Sequence, residues 1–155
     1  MVMLRNDQME EFPWFHMFLE ELVSVQYSSK IWEAFQEWSG LDESEALKAV
    51  SYGTFPIVNI KKSIFDNAHD YGHFSESKPD DIWVRRDSVQ TYEKTTDATV
   101  EWETGKYLEM LILHELVHWG RFHSALGDDF EENGLDSGKL FANAAYTNRH
   151  KPHLG

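Results

Sequence analysis

Apolar residues recur through the first fifty positions with helical spacing. Phe12, Phe15, Phe18, Leu19, Leu22, Val23 and Val25 fall close to one stripe of a 3.6-residue repeat, which predicts a helix over 12–27, with Pro13 acceptable only in its first turn. A polar break at Ser28-Ser29-Lys30 precedes Ile31, Trp32, Phe35 and Trp38, a second helical stripe closed by Gly40. Asp42 then supplies a start signal for a third helix running to Tyr52, with Gly53 beyond its end.

The period shortens at Phe55. Pro56-Ile57-Val58-Asn59-Ile60 and Asp81-Ile82-Trp83-Val84-Arg85 are short, β-branched or alternating, and read as strands; the polar stretch between them, 66–78, reads as a loop. From Trp102 to Phe122 the residues Tyr107, Leu108, Met110, Leu111, Ile112, Leu113, Leu116, Val117 and Trp119 are apolar on almost every side, the mark of a helix buried through the middle of a domain. Gly120 is expected to end or loosen it, and Trp32, Trp38, Trp83 and Trp102 are expected in the core. An acidic, glycine-punctuated stretch from Ser124 to Gly138 leads to a short helix over 139–146 and a basic tail, Arg149-His150-Lys151-Pro152-His153. The expectation is one α+β domain over 1–155, with N-terminal helices and a small sheet whose edge strand borders a cleft above the central helix. Alternation favours Ile82–Arg85 over Phe55–Ile60 as that edge strand.

Composition narrows the function. With 14 Lys and Arg against 27 Asp and Glu, the 155-residue chain carries −13, a field that repels nucleic-acid phosphates and anionic lipid and favours cationic peptides at low salt. The absence of cysteine excludes disulfides, thiolate zinc sites and a cysteine nucleophile. No window offers eighteen apolar residues, and the charged N-terminal segment does not read as a signal peptide, so export would require a larger polypeptide.

Within the central helix stands His114-Glu115-Leu116-Val117-His118. Histidines at i and i+4 share one helix face a turn apart, so both imidazoles can reach one Zn²⁺ at about 2.0–2.1 Å, with the intervening carboxylate beside the open coordination position. Such an ion acidifies its bound water, and Glu115 can accept that proton and pass it to a leaving nitrogen. Two histidines and a carboxylate in the most apolar helix would be costly to bury unless something satisfies them.

A third ligand must come from elsewhere. His123 lies near the place used by the longer His-Glu-x-x-His-x-x-Gly-x-x-His pattern, yet Gly120 and His123 each stand one residue too early. The acidic stretch offers Asp128, Asp129, Glu131, Glu132 and Asp136. Asp136 is preferred, because it falls 18 residues after His118 at the start of the next helix, an interval close to that in thermolysin-like enzymes.

The run His114-Glu-Leu-Val-His-Trp-Gly120, the acidic glycine-bearing loop, and Gly138-Lys-Leu-Phe-Ala-Asn-Ala-Ala-Tyr146 together resemble the metallopeptidase toxin 3-like domains of bacterial polymorphic toxin systems. Those domains sit at the C-terminal ends of Rhs and type VI secretion spike effectors. The resemblance implies a zincin fold, zinc-dependent endopeptidase activity on protein or peptide substrates, delivery into a rival cell within a larger effector, and a cognate immunity protein. The chain departs from the family pattern at Ala142, where a Glu follows the Phe; the ligand role then passes to Asp136, or the domain is a degenerate, zinc-stabilised binding module. A cytoplasmic peptidase would use the same chemistry. Among other candidates, His69 and His73 are four apart, but Gly72 spoils a helix there; Tyr146 could serve an oxyanion, although a structural hydroxyl is the simpler reading; His150 and His153 are expected in solvent.

Overall fold

The amphipathic stripes near the N-terminus form four helices: α1 (Asn6–Glu11), α2 (Pro13–Glu21), α3 (Ser29–Ser39) and α4 (Glu43–Val50), preceded by a short strand β1 (Val2–Met3). The computed structural model describes residues 2–61, 72–124, 126–128 and 130–146. The helix expected over 12–27 is split, since α2 gives way to a 3₁₀ segment, Leu22–Tyr27. Val23, Ser24 and Val25 are poor α-formers, and the tighter winding lines up Leu22 and Val25, three apart, so that both bury. Gly40 closes α3, and Asp42 opens α4 with a capping box: its carboxylate accepts from the Glu45 amide at 2.8 Å while Glu45 accepts from the Asp42 amide at 3.3 Å.

Three further strands, β2 (Tyr52–Lys61), β3 (Gly72–Phe74) and β4 (Asp81–Arg85), join β1 in a sheet of order β1-β2-β4-β3. β1, β2 and β4 run parallel, whereas β3 pairs antiparallel with β4 in the register Gly72↔Val84, His73↔Trp83 and Phe74↔Ile82. The expected edge strand is therefore corrected. Phe55–Ile60 and Ile82–Arg85 are both interior, and among the described residues the edge beside the central helix is β3, drawn from the stretch read as a loop. Three residues are too few for alternation to register; the pairing with β4 makes them a strand.

After α5 (Arg86–Lys94), the central helix α6 spans Ala98–His123, and its first turn is capped by Asp97, which accepts from the Thr99 and Val100 amides. Its Leu108, Met110 to Leu113, Leu116 and Val117 are fully buried and form the middle of the hydrophobic core. Burying each such side chain contributes roughly 1.5–3 kcal/mol, enough to hold the helix rigid. Gly120 does not end it: the glycine lies inside the helix, where an added Cβ would stand 3.0 Å from the Ser39 side chain, so its small size admits the end of α3. Trp102, expected in the core, is 56% exposed on the first turns of α6, while Trp32 and Trp83 are buried. A small hairpin, β5 (Glu131–Glu132) and β6 (Leu135–Asp136), turns at Asn133 and Gly134, both at positive φ, and delivers the chain to α7 (Ser137–Ala145), which packs on α3 and α6. The fold is α+β with a zincin-like arrangement of edge strand over a long helix.

Candidate metal centre

One turn of α6 separates His114 from His118, and both rings turn toward the N-terminus of α7. Their Nε2 atoms stand 3.3 Å apart, close to the edge of about 3.3–3.4 Å that a tetrahedron of 2.0–2.1 Å bonds requires. Glu115 Oε1 lies 3.8 Å from His114 Nε2, and one ligand atom from each of His114, Glu115 and His118 falls within 4.8 Å of the others. His114 and Glu115 are 0% and 2% exposed.

Asp136 reaches the same place by way of helix capping. As the N-cap of α7 it accepts from the Lys139 amide through Oδ1 at 2.8 Å, which leaves Oδ2 at 3.6 Å from His118 Nε2. Two residues on, Gly138 closes the space. A Cβ there would stand 2.6 Å from His114 Nε2 and 2.7 Å from His118 Nε2, so only glycine leaves the ground before both nitrogens open. Gly72 does the equivalent on the opposite wall: a Cβ would stand 2.7 Å from Glu115 Oε1 and from Leu111 Cδ1, and without one β3 lies directly on α6. Gly72, His73, Phe74, Glu115, His118, Asp128 and Asp136 line a cleft of about 300 Å³.

Asp128 holds the far side of His118, its Oδ1 2.7 Å from Nδ1. A carboxylate there takes the Nδ1–H and leaves the Nε2 lone pair for an ion, the usual outer support of a metal-ligating histidine. Burial works against protonation of His118, but the Asp128 hydrogen bond and the carboxylates of Glu115, Asp128 and Asp136 outweigh it and push the group up to about 9. Burial, and then the neighbouring His118, push His114 down. His114 Nδ1, on the other side of that ring, is one of several buried polar side-chain atoms without a hydrogen-bond partner among the described residues. Converging nitrogens, a carboxylate beside them and a glycine cradle fit a divalent metal.

The other sequence candidates disperse. His123 ends α6 with Nε2 3.0 Å from the Pro79 carbonyl and its ring on Trp119. Glu131 and Glu132 are exposed on β5, while Asp129, His69, His150 and His153 lie outside the described residues. Tyr146 donates to Glu109 Oε1 at 2.9 Å, a structural bond. Ala142 is buried on α7. Sequence reasoning missed the roles of Gly72, Gly138 and the Asp128–His118 pair, for which spacing carries no signal.

A comparison with known protein families matches residues 8–147 to metallopeptidase toxin 3. The chain belongs to that family. The match extends well beyond 114–146, across the segments that form the N-terminal helices and most of the sheet, so membership does not rest on the histidine motif alone. As a member of the metallopeptidase toxin 3 family it is a metallopeptidase domain of the toxin type; the family implies a divalent metal, and His114, Glu115 and His118 form a possible site for one. No curated protein and no solved structure matches the chain. Among the described residues no helix is long and apolar enough to cross a membrane.

Proposed function

We propose that the domain is a zinc-dependent endopeptidase in which His114, His118 and Asp136 hold the ion and Glu115 is the general base. The observation that carries this reading is the 3.3 Å approach of the two Nε2 atoms in front of a glycine that alone leaves room there. Zinc, when bound, supplies an acidified water and polarises the scissile carbonyl. Glu115, buried beside that position, accepts the proton of the attacking water and returns it to the departing amine. Asp136 is pre-aimed by its cap bond to Lys139, so that ligation costs little further ordering. Among the described residues β3 is the edge of the sheet, and an extended peptide pairing with its main chain would lie along the cleft with a carbonyl over the centre.

Family membership supports a wider reading: the domain is carried into a target cell as part of a larger effector, hydrolyses protein there, and is neutralised in its producer by an immunity protein. The resemblance places a Glu where this chain has Ala142, and on that ground a second reading is an inactive zinc-stabilised module. One experiment separates them. Purified domain is assayed for bound zinc and for cleavage of an unfolded protein, beside Glu115→Gln. The expected result is stoichiometric zinc in both, with activity lower by about 10²–10⁴-fold in the variant, the usual contribution of a general base. Zinc without activity in the wild type would establish the inactive module, and wild-type activity in Glu115→Gln would remove the mechanism.

A further inference from the structure

His118 owes its orientation to a carboxylate that sits on a short loop, and a loop carboxylate is only as fixed as the loop. In the segment after α6, Ser124 Oγ reaches the Ser39 carbonyl at 3.5 Å and Gly127 is tied to Arg121. Arg121, 9% exposed and three residues beyond His118, donates from Nε to the Gly127 carbonyl at 3.0 Å, while the Gly127 amide donates back to the Arg121 carbonyl at 3.1 Å. Gly127 is thus held by both of its backbone groups to one residue, a geometry it reaches at φ +74°. Asp128 is the next residue. A second donor, Arg121 Nη1, reaches the Trp38 carbonyl at the end of α3 at 3.3 Å, and Phe130 covers the guanidinium at 5.0 Å with its own ring 6.1 Å from that of Trp38.

We propose that Arg121 is a positioning residue of the metal centre: by clamping Gly127 it holds Asp128 on His118 Nδ1, and thereby aims His118 Nε2 at the ion. The inference rests on the zinc-site reading above. It assigns a buried arginine that touches neither ion nor substrate to the affinity of the site. A salt bridge or a lone packing role would not need the fork, since both of its carbonyl partners are main-chain groups and one adjoins the carboxylate that matters.

The test uses zinc affinity by chelator competition, with the NMR signals of the His118 imidazole in zinc-free protein as a second readout. Asp128→Asn is expected to weaken zinc binding by about 10–100-fold, the range for loss of an outer-shell partner. Arg121→Gln should weaken it by about tenfold and remove the strongly hydrogen-bonded Nδ1–H signal. The double variant Arg121→Gln/Asp128→Asn should bind zinc no worse than Asp128→Asn alone, because both act through one contact. If Arg121→Gln fails to fold, Phe130→Leu, which removes the ring over the guanidinium together with its contact to Trp38, should produce a smaller loss that likewise vanishes in the Asp128→Asn background. Additive losses in the double variant, or an unchanged Nδ1–H signal in Arg121→Gln, would overturn the proposal. Should the wild type bind no zinc, the zinc-site reading fails, while the imidazole signal still decides whether the clamp exists.

Discussion

The two walls of the candidate centre are built on different principles. One is α6, 26 residues long, whose ligand spacing follows from helical repeat and whose rigidity follows from burial on nearly all sides. The other is assembled from fragments: a three-residue strand, a loop carrying Asp128, a two-strand hairpin and the first turn of α7. The long buried helix sets the spacing of the two candidate ligands, while His118 still takes its orientation from Asp128. The fragments are short, and their close approach to the site depends on glycines at Gly72 and Gly138. The comparison teaches that chemistry is written on the helix, whereas access to it is set by backbone approach from the opposite side.

Breaking the fragment wall should therefore cost function without costing the helix. The largest effect is expected from Gly138→Ala, whose Cβ would overlap both Nε2 atoms. His118 is held by Asp128 and His114 is fully enclosed, so neither ring can retreat freely. Zinc affinity should fall beyond the roughly 10–100-fold cost of losing an outer-shell partner. Chelator competition reads this, and circular dichroism checks that α6 is retained. Gly72→Ala comes next. Its Cβ would meet Glu115 and Leu111, forcing β3 off the helix. A displacement of about 1 Å can cost some 100-fold in rate, so kcat/KM on an unfolded substrate should drop by about that factor. Zinc affinity should change far less, because neither histidine is touched. Equal losses of affinity and rate in Gly72→Ala would show that the two walls act as one unit.

The same division explains what could be read from the sequence. The sequence offered His114, Glu115 and His118 as candidates through their spacing within one uninterrupted apolar helix, and the structure brings them together; Asp136 was offered through its place before the next helix and stands 3.6 Å from His118 Nε2. Resemblance confined to 114–146 pointed to the family whose model then matched residues 8–147. The edge strand was misassigned because Gly72-His73-Phe74 has strand character only when paired with β4. Asp128 was visible as one acid among five, but its task on the Nδ1 side of His118 depends on a turn at Gly127 that no periodicity encodes. Gly120 misled in the opposite sense: read as a helix terminator, it is a contact residue, spared a side chain so that α3 can approach α6. In each case what was hidden is a contact between segments distant in sequence or a backbone geometry peculiar to one residue.

The smallest effect should come from the helix itself, at a glycine that serves no contact. Gly105 lies nine residues before His114 on α6, about 13 Å along the axis at 1.5 Å per residue. A Cβ there would meet only Tyr92, at 3.4 Å, an ordinary van der Waals distance. Removing a glycine from a helix interior restricts the unfolded chain and should stabilise the protein by about 0.5–1 kcal/mol. For a chain of this length that is a rise in Tm of roughly 1–4 °C, readable by calorimetry on the zinc-free protein. Zinc affinity and peptidase rate should stay at wild-type values, because α6 is fixed locally by its own packing at every turn. A Gly105→Ala protein that is more stable yet binds zinc more weakly would mean that strain travels along the helix to His114, and the helix could no longer be treated as the independent wall of the site.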